Sequence, residues 1–190
     1  MRHESSFPLS FARYAAYVES LPPEKRTATF MIKGISLKQI NVYCKYYFEG
    51  NGMKPYELIE HTADVAIKAY GKNLAEAFEQ AAKAMFDIIT DKSEIESVGQ
   101  YDISLEAQDM EQLLVDWLSE LLFLHGANNM VFGFFKLDLD EKKNRLTAHV
   151  FGEPFNISKH KVGAEIKAVT YHMLEVRNKR PYHVQVLFDI

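Results

Sequence analysis

The chain has 190 residues, of which 47% are hydrophobic, and its formal net charge is −4 at neutral pH. This length fits one domain, or one domain with an appended segment, and the composition allows a sizeable core. The single cysteine, Cys44, excludes an internal disulfide framework and a cysteine-based metal site. No apolar run approaches the roughly 20 residues of a transmembrane helix. We therefore expect a cytoplasmic protein with no membrane partner.

Charge divides the chain near Met53. Residues 1–52 contain 7 Lys and Arg against 4 Asp and Glu, whereas residues 53–190 contain 15 against 22. Asn-Gly and Pro mark a loop at the boundary. We predict that 53–190 is the main domain and that 1–52 is a poorly defined extension. The extension is either a small docking segment or, as we favour, the product of an upstream start, with Met53 the usual initiator.

Within the extension, "SFARYAAYVESL" indicates a short helix and "LKQINVYCKYYF" a strand. The main domain then begins with "YELIEH" and "VAIKAYG", which predict two short strands or one strand with an irregular join. Asn73, followed three residues later by Glu76, predicts the start of an amphipathic helix over 74–90. "YDISLEA" predicts a strand. Asp109 is expected to cap a second amphipathic helix that ends at "HGANN".

The last third of the chain is rich in strand patterns. "VFGFFKLDLD" and "NRLTAHVFG" predict a hairpin around "EKKN", followed by the irregular connection "GEPFNISKHKVG". "AEIKAVTYHMLEV" predicts a long strand, and "RNKRP" turns the chain into "YHVQVLFDI". The pattern as a whole predicts an α+β fold: a two-layer sandwich with two amphipathic helices packed on a mostly antiparallel sheet of about six strands.

Carboxylates at two places suggest a cation site. Asp64 begins the "VAIKAYG" strand, on the face opposite Val65. Asp189 precedes Ile190, whose α-carboxylate is free if the chain ends there naturally. If the last strand pairs beside Asp64, three carboxylates gather, and such groups repel unless a cation neutralises them. Oxygen ligands suit Ca²⁺ or Mg²⁺ better than Zn²⁺. The alternative for Asp64 is an ordinary exposed carboxylate.

A second polar group lies on the predicted long strand. In a regular strand Thr170 and His172 share one face, and Lys167 points to the other unless a bulge or bend intervenes. The ordinary role of a histidine on an apolar face is that of a hydrogen-bonded core residue, so both interpretations of His172 stay open.

His61 near Asp64, and Glu153 further along the chain, can each be interpreted as structural or as functional. His61 is close enough in sequence for Asp64 to orient its imidazole, although turn chemistry also explains the residues around Asp64. Glu153 lies between Gly152 and Pro154, which we expect to break a strand, and its predicted role is only that of a connection.

Several catalytic signatures are missing from the sequence. It contains no Gly-rich phosphate loop, no H-E-x-x-H and no G-x-S-x-G. It also has no basic stripe with interleaved aromatics, so direct nucleic-acid binding is not expected. An enzyme is therefore not favoured. A hydrolase that uses His61 and Asp64 is kept as an alternative.

Several strings, in order, resemble the archease family. They are "YELIEHTADVAIKAYGKNLAEAFEQAAKAMFDIITD", "LLVDWLSELLFL", "GEPF", "EIKAVTYHMLEV" and "VLFDI", which span about residues 55–190. The resemblance implies a non-catalytic protein cofactor of the RtcB-class tRNA-splicing RNA ligase, which promotes ligase guanylylation and multiple turnover in exon joining. The family's alternative role is that of a chaperone-like modulator of other enzymes, such as a tRNA methyltransferase.

The resemblance also implies a divalent cation, calcium, held by Asp64, Asp189 and Ile190. We place four further residues where they would contact the protein partner or support the cation's ligands: His61, Lys167, Thr170 and His172. The sequence does not fix the oligomeric state.

Overall fold

The computed structural model describes residues 31–32, 35–36, 54–60, 64–91 and 93–190. Contacts divide the chain into two units, Met1–Gly52 and Met53–Ile190. The described part of the first unit is one antiparallel pair, β1 (Met31–Ile32) with β2 (Ile35–Ser36). The helix predicted over 10–21 and the strand predicted over 37–48 lie outside the described residues. The use of Met53 as an initiator stays a prediction.

The described part of the second unit contains seven strands and two helices. The strands are β3 (Tyr56–Glu60), β4 (Asp64–Gly71), β5 (Gly99–Glu106), β6 (Met130–Asp140), β7 (Arg145–Pro154), β8 (Ala168–Arg177) and β9 (Tyr182–Asp189), and the helices are α1 (Leu74–Ile89) and α2 (Met110–Asn128). The strands form two antiparallel sheets, in the orders β3-β4-β9-β8 and β5-β7-β6. The predicted α+β class is confirmed, but the strands divide between two sheets and each helix contacts both.

Helix α1 begins where the sequence predicts. The Asn73 side chain accepts a hydrogen bond from the backbone N–H of Glu76 at 2.8 Å, and the Glu76 carboxylate accepts one from the N–H of Lys72 at 2.6 Å. These bonds satisfy N–H groups that a helix start leaves without partners. Burial extends beyond a single face of this helix, since Ala82, Ala84 and Phe86 are buried together with Leu74 and Phe78. The wider burial follows from contact with both sheets.

Helix α2 also begins and ends as predicted. The Asp109 side chain accepts from the N–H of Gln112 at 2.7 Å, which caps the first turn. The helix then continues through Gly126 to Asn128 and stops where Asn129 takes a left-handed conformation, with φ of 53°. Asparagine tolerates this conformation better than most residues. Asn129, the last residue of the predicted "HGANN" terminus, therefore ends the helix.

The predicted hairpin around "EKKN" is confirmed. Strands β6 and β7 pair from Asp140 opposite Arg145 at the turn to Met130 opposite Pro154. The Asp140 carboxylate accepts from the N–H of Lys142 at 3.1 Å, which stabilises the turn. Strand β7 continues through Gly152 and ends at Pro154, so Pro154 ends this strand as predicted, whereas the prediction that Gly152 breaks it is wrong.

Strand β8 is shorter than predicted at its start. The sequence suggests a strand from Ala164, whereas β8 begins at Ala168. The backbone N–H groups of Gly163 and Ala164 instead donate to the carbonyl oxygens of Ile89 and Ile88, at 2.9 and 3.0 Å. A Cβ on Gly163 would overlap the Ile88 carbonyl oxygen. The segment therefore docks on the C-terminal end of α1 before it can join the sheet.

Glu79 on α1 connects the helix to β6. Its carboxylate accepts from the backbone N–H of Leu137 at 2.8 Å. Burial raises the pKa of the Glu79 carboxyl from its ordinary 4.5 to about 7, and the Leu137 bond only partly opposes this. The folded protein therefore binds a proton at Glu79 more tightly than the unfolded chain does.

This difference gives stability a pH dependence. The Glu79 contribution to the free energy of unfolding is greatest below pH 4.5 and is lost as pH rises through about 7. We expect Glu79→Gln, which keeps the acceptor for Leu137, to gain about 3 kcal/mol relative to the parent chain between pH 4 and pH 8. Urea unfolding at several pH values measures the difference. Glu111→Gln, on the exposed start of α2, is the matched control. A constant difference between Glu79→Gln and the parent over this range would contradict the prediction.

Candidate metal centre

The pairing of β4 with β9 places Asp64 directly opposite Asp189. The register runs from Asp64 opposite Asp189 to Gly71 opposite Tyr182. It is fixed by the core face, because a slip of one residue would turn buried residues such as Ile67 and Phe188 toward solvent. Cross-strand partners share a face of the sheet, so both carboxylates lie on the face away from this core. The predicted proximity of Asp64 to the last strand is confirmed.

Lys167 and Ile190 add a positively charged side chain and a further oxygen at the end of the same strand pair. The backbone N–H of Lys167 donates to the Asp189 carbonyl oxygen at 2.8 Å, which extends the β8–β9 pairing by one bond. The Lys167 Nζ donates to the main-chain oxygen of Ile190 at 2.9 Å. The Ile190 side chain packs against the core and so holds this oxygen in position. We call Asp64, Asp189, Ile190 and Lys167 the strand-end cluster.

The chemistry of the strand-end cluster fits a hard cation. Its two carboxylates and one main-chain oxygen offer only oxygen ligands, the kind that Ca²⁺ and Mg²⁺ prefer. Asp189 is exposed and Asp64 is partly buried, so water can complete the coordination. Among the described residues of the chain, no three side chains of His, Cys, Asp or Glu are grouped to hold a metal. A cation here would therefore depend on the Ile190 oxygen and on water.

The predicted contact residues of β8 lie on an irregular part of that strand. The register shifts between Thr170 and Glu175, so that residues 171–174 stand opposite Val186 alone. Met173 takes a left-handed conformation with φ of 56°, and its carbonyl oxygen accepts from Gln185 Nε2 at 3.0 Å. A bulky residue with positive φ is unusual and indicates a backbone held by its surroundings.

Residues 171–174 form a bulge in β8, which gives Thr170 and His172 different surroundings. The Thr170 hydroxyl donates to the Leu187 carbonyl oxygen at 3.0 Å, which ties it to the sheet. His172 is exposed, so the interpretation of it as a core residue is wrong. Lys167 precedes β8 and its ammonium contacts Ile190, not His172. His61, the remaining predicted contact residue, lies outside the described residues.

Sequence reasoning missed a buried carboxylate at the end of β7. Glu153 is 8% exposed, and its carboxylate accepts two hydrogen bonds from Lys159 Nζ, at 2.8 and 2.7 Å. Burial raises the pKa of the Glu153 carboxyl, but the Glu96 N–H, Lys159 and His160 outweigh it and hold the pKa below its ordinary value. The available signal was a lysine and a histidine in the connection six and seven residues after Glu153.

His160 completes this cluster. Its Nδ1 accepts from the backbone N–H of Asn156 at 3.0 Å, which leaves the proton on Nε2 to donate to Glu153 Oε1 at 3.3 Å. These contacts fix the connection that leads from β7 to Lys167. They tie residues 156–160 of this connection to Glu153 at the end of β7.

Together these features define an α+β protein with two antiparallel sheets and a carboxylate pair at the ends of two paired strands. Within the described residues, no helix has the length and apolar character needed to span a membrane. The sequence matches a family model over residues 56–190, described as the Archease protein family (MTH1598/TM1083). The chain belongs to the archease family.

Curated relatives and a solved structure agree with this assignment. The chain is 42% identical over 141 residues to a protein archease of Methanosarcina barkeri, covering 72% of this chain and 97% of the relative. It is 39% identical over 132 residues to the protein archease of Sulfurisphaera tokodaii, covering 70% and 95%. The solution structure of Methanobacterium thermoautotrophicum protein 1598 is similar with a TM-score of 0.63 and 38% identity, covering 73% of this chain and all of that one.

Proposed function

We propose that this protein is a non-catalytic activator of an RtcB-class tRNA-splicing RNA ligase. In this role it promotes guanylylation of the ligase and lets each ligase molecule join many exon pairs. Membership of the archease family supports the proposal. The single structural observation that carries it is the pairing of Asp64 with Asp189, because it builds an oxygen-rich surface from the family motifs.

The strand-end cluster would hold a divalent cation, for which we propose Ca²⁺. Asp64 and Asp189 would supply carboxylate oxygens, and Ile190 its main-chain oxygen. The cation would neutralise the two carboxylates and offer open coordination positions to oxygen atoms of the partner. The residues themselves set the place and orientation of these oxygens through the β4–β9 register.

The partner surface is proposed to be basic. Residues 53–190 contain 22 Asp and Glu against 15 Lys and Arg, an excess of seven negative charges. Such a surface favours encounter with a basic protein surface and disfavours nucleic-acid phosphates. On β8, Tyr171 and His172 are exposed and available to a protein partner.

A guanylylation assay tests the proposal. The ligase is incubated with radiolabelled GTP, with and without this protein, and the labelled ligase is counted before and after tRNA exon halves are added. The protein should increase both the labelled fraction and the number of joined products per ligase. It should first be stripped of metal by a chelator and dialysed, so that the ligase's own metal is not removed.

The outcomes separate the alternatives. No stimulation by the metal-loaded protein would overturn the proposal. Suppression of methyltransferase aggregation that is unchanged by Asp189→Asn, without ligase stimulation, would favour the chaperone-like role instead. Hydrolytic turnover of GTP or RNA by this protein alone, with no ligase present, would favour a hydrolase that uses His61 and Asp64.

A further inference from the structure

The Lys167 ammonium lies on the same main-chain oxygen that the proposed cation would use. Its Nζ donates to the Ile190 oxygen at 2.9 Å, and its backbone N–H donates to the Asp189 carbonyl at 2.8 Å. Asp189 in turn faces Asp64 across the β4–β9 pair. The Lys167 ammonium is therefore held at the edge of the pair formed by the Asp64 and Asp189 carboxylates.

We propose that Lys167 is the resident counter-ion of the strand-end cluster and competes with the divalent cation for the Ile190 oxygen. An ammonium and a divalent cation on the same oxygen would lie only a few ångströms apart, and two positive charges at that distance repel. The inference rests on the proposed metal site. It adds that the affinity of this site is set by a residue that is not a ligand.

The competition has a second effect on the surface. When the divalent cation takes the Ile190 oxygen, the Lys167 ammonium loses its acceptor, and Lys167 is exposed. The freed ammonium, on the segment that leads into β8, can then donate to an acidic group of the partner. Cation binding and the exposure of a lysine donor are therefore coupled through one oxygen atom.

A substitution can remove the Lys167 ammonium and keep the backbone hydrogen bond of this residue. The bond from the Lys167 N–H to Asp189 involves only the main chain, so Lys167→Met keeps it together with a side chain of similar length. Lys142→Met is the matched control. Lys142 is exposed in the turn between β6 and β7, and its loss changes the net charge by the same amount.

Calcium titration calorimetry on the full chain tests the inference, with calcium-induced changes in melting temperature as a second readout. We expect Lys167→Met to bind calcium about tenfold more tightly than the parent, since it removes both a competing hydrogen bond and a repelling charge. Its melting temperature should also rise more on calcium addition. Lys142→Met should stay within about twofold of the parent, as expected of a remote and screened charge.

Three results would overturn the inference and can be told apart. Equal or weaker calcium binding by Lys167→Met shows that Lys167 does not compete, while the metal site itself stands. Equal tightening by Lys142→Met shows that only net charge matters. An absence of calcium binding by the parent chain removes the metal site and the competition together.

Discussion

Asp64→Asn is expected to abolish calcium binding and the stimulation of multiple-turnover ligation while leaving the fold intact. Asparagine has the size of aspartate but not its charge, so the site loses one of its two carboxylates. Changes in residues that only support metal ligands typically cost about 10–100-fold in affinity, and the loss of a ligand should cost more. Calorimetry measures calcium affinity, and joined exons per ligase molecule measure turnover.

The matched control for this change is Asp138→Asn. Asp138 is exposed on β6, in the other sheet, and its substitution removes the same charge. It should leave both measurements unchanged. Asp189→Asn should repeat the defect of Asp64→Asn, because the two residues face each other. Full stimulation by Asp64→Asn, with a melting temperature like the parent's, would remove the strand-end cluster from the proposed function.

Trp117→Ala is expected to destabilise the second unit by about 3–5 kcal/mol, the usual cost of removing a large buried aromatic. Trp117 is fully buried on α2, and its Nε1–H donates to the Phe78 carbonyl oxygen of α1 at 3.3 Å. Its ring also packs edge-on against Phe135 of β6, with 6.2 Å between the ring centres. One side chain therefore joins both helices to a sheet, and its loss leaves a cavity where these elements meet.

Urea unfolding followed by circular dichroism measures this change. Phe123→Ala is the control, because Phe123 lies on the same helix and is 63% exposed. Its removal should change the free energy of unfolding by less than about 0.5 kcal/mol. A loss of less than about 1 kcal/mol in Trp117→Ala would show that the surrounding side chains collapse into the space.

Local patterns predicted the elements that local chemistry controls. The caps at Asn73 and Asp109 follow from side chains that bond to backbone N–H groups three residues on. The alternation that ends at Phe188 fixed which face of β9 enters the core and hence the outward direction of Asp189. The pairing with β4 was a hypothesis that only the tertiary structure confirmed.

The features that were missed depend on distant contacts. Strand β8 begins late because Gly163 and Ala164 bond to the end of α1, more than 70 residues earlier in the chain. The burial of Glu153 depends on Lys159 and His160, which reach it from an irregular connection. Neither contact has a periodic signature, since each joins a strand or helix to a loop whose path is set by the whole fold.

The bulge in β8 also affects how the protein behaves at high concentration. Strand β8 is an edge of the four-stranded sheet, where a second polypeptide could extend the sheet through the outer row of main-chain groups. Residues 171–174 interrupt the pairing register of β8, and Met173 bends the backbone within the bulge. An incoming strand would meet an interrupted row of β8 main-chain donors and acceptors near the middle of the strand. The bulge therefore disfavours self-association into larger sheets at this edge.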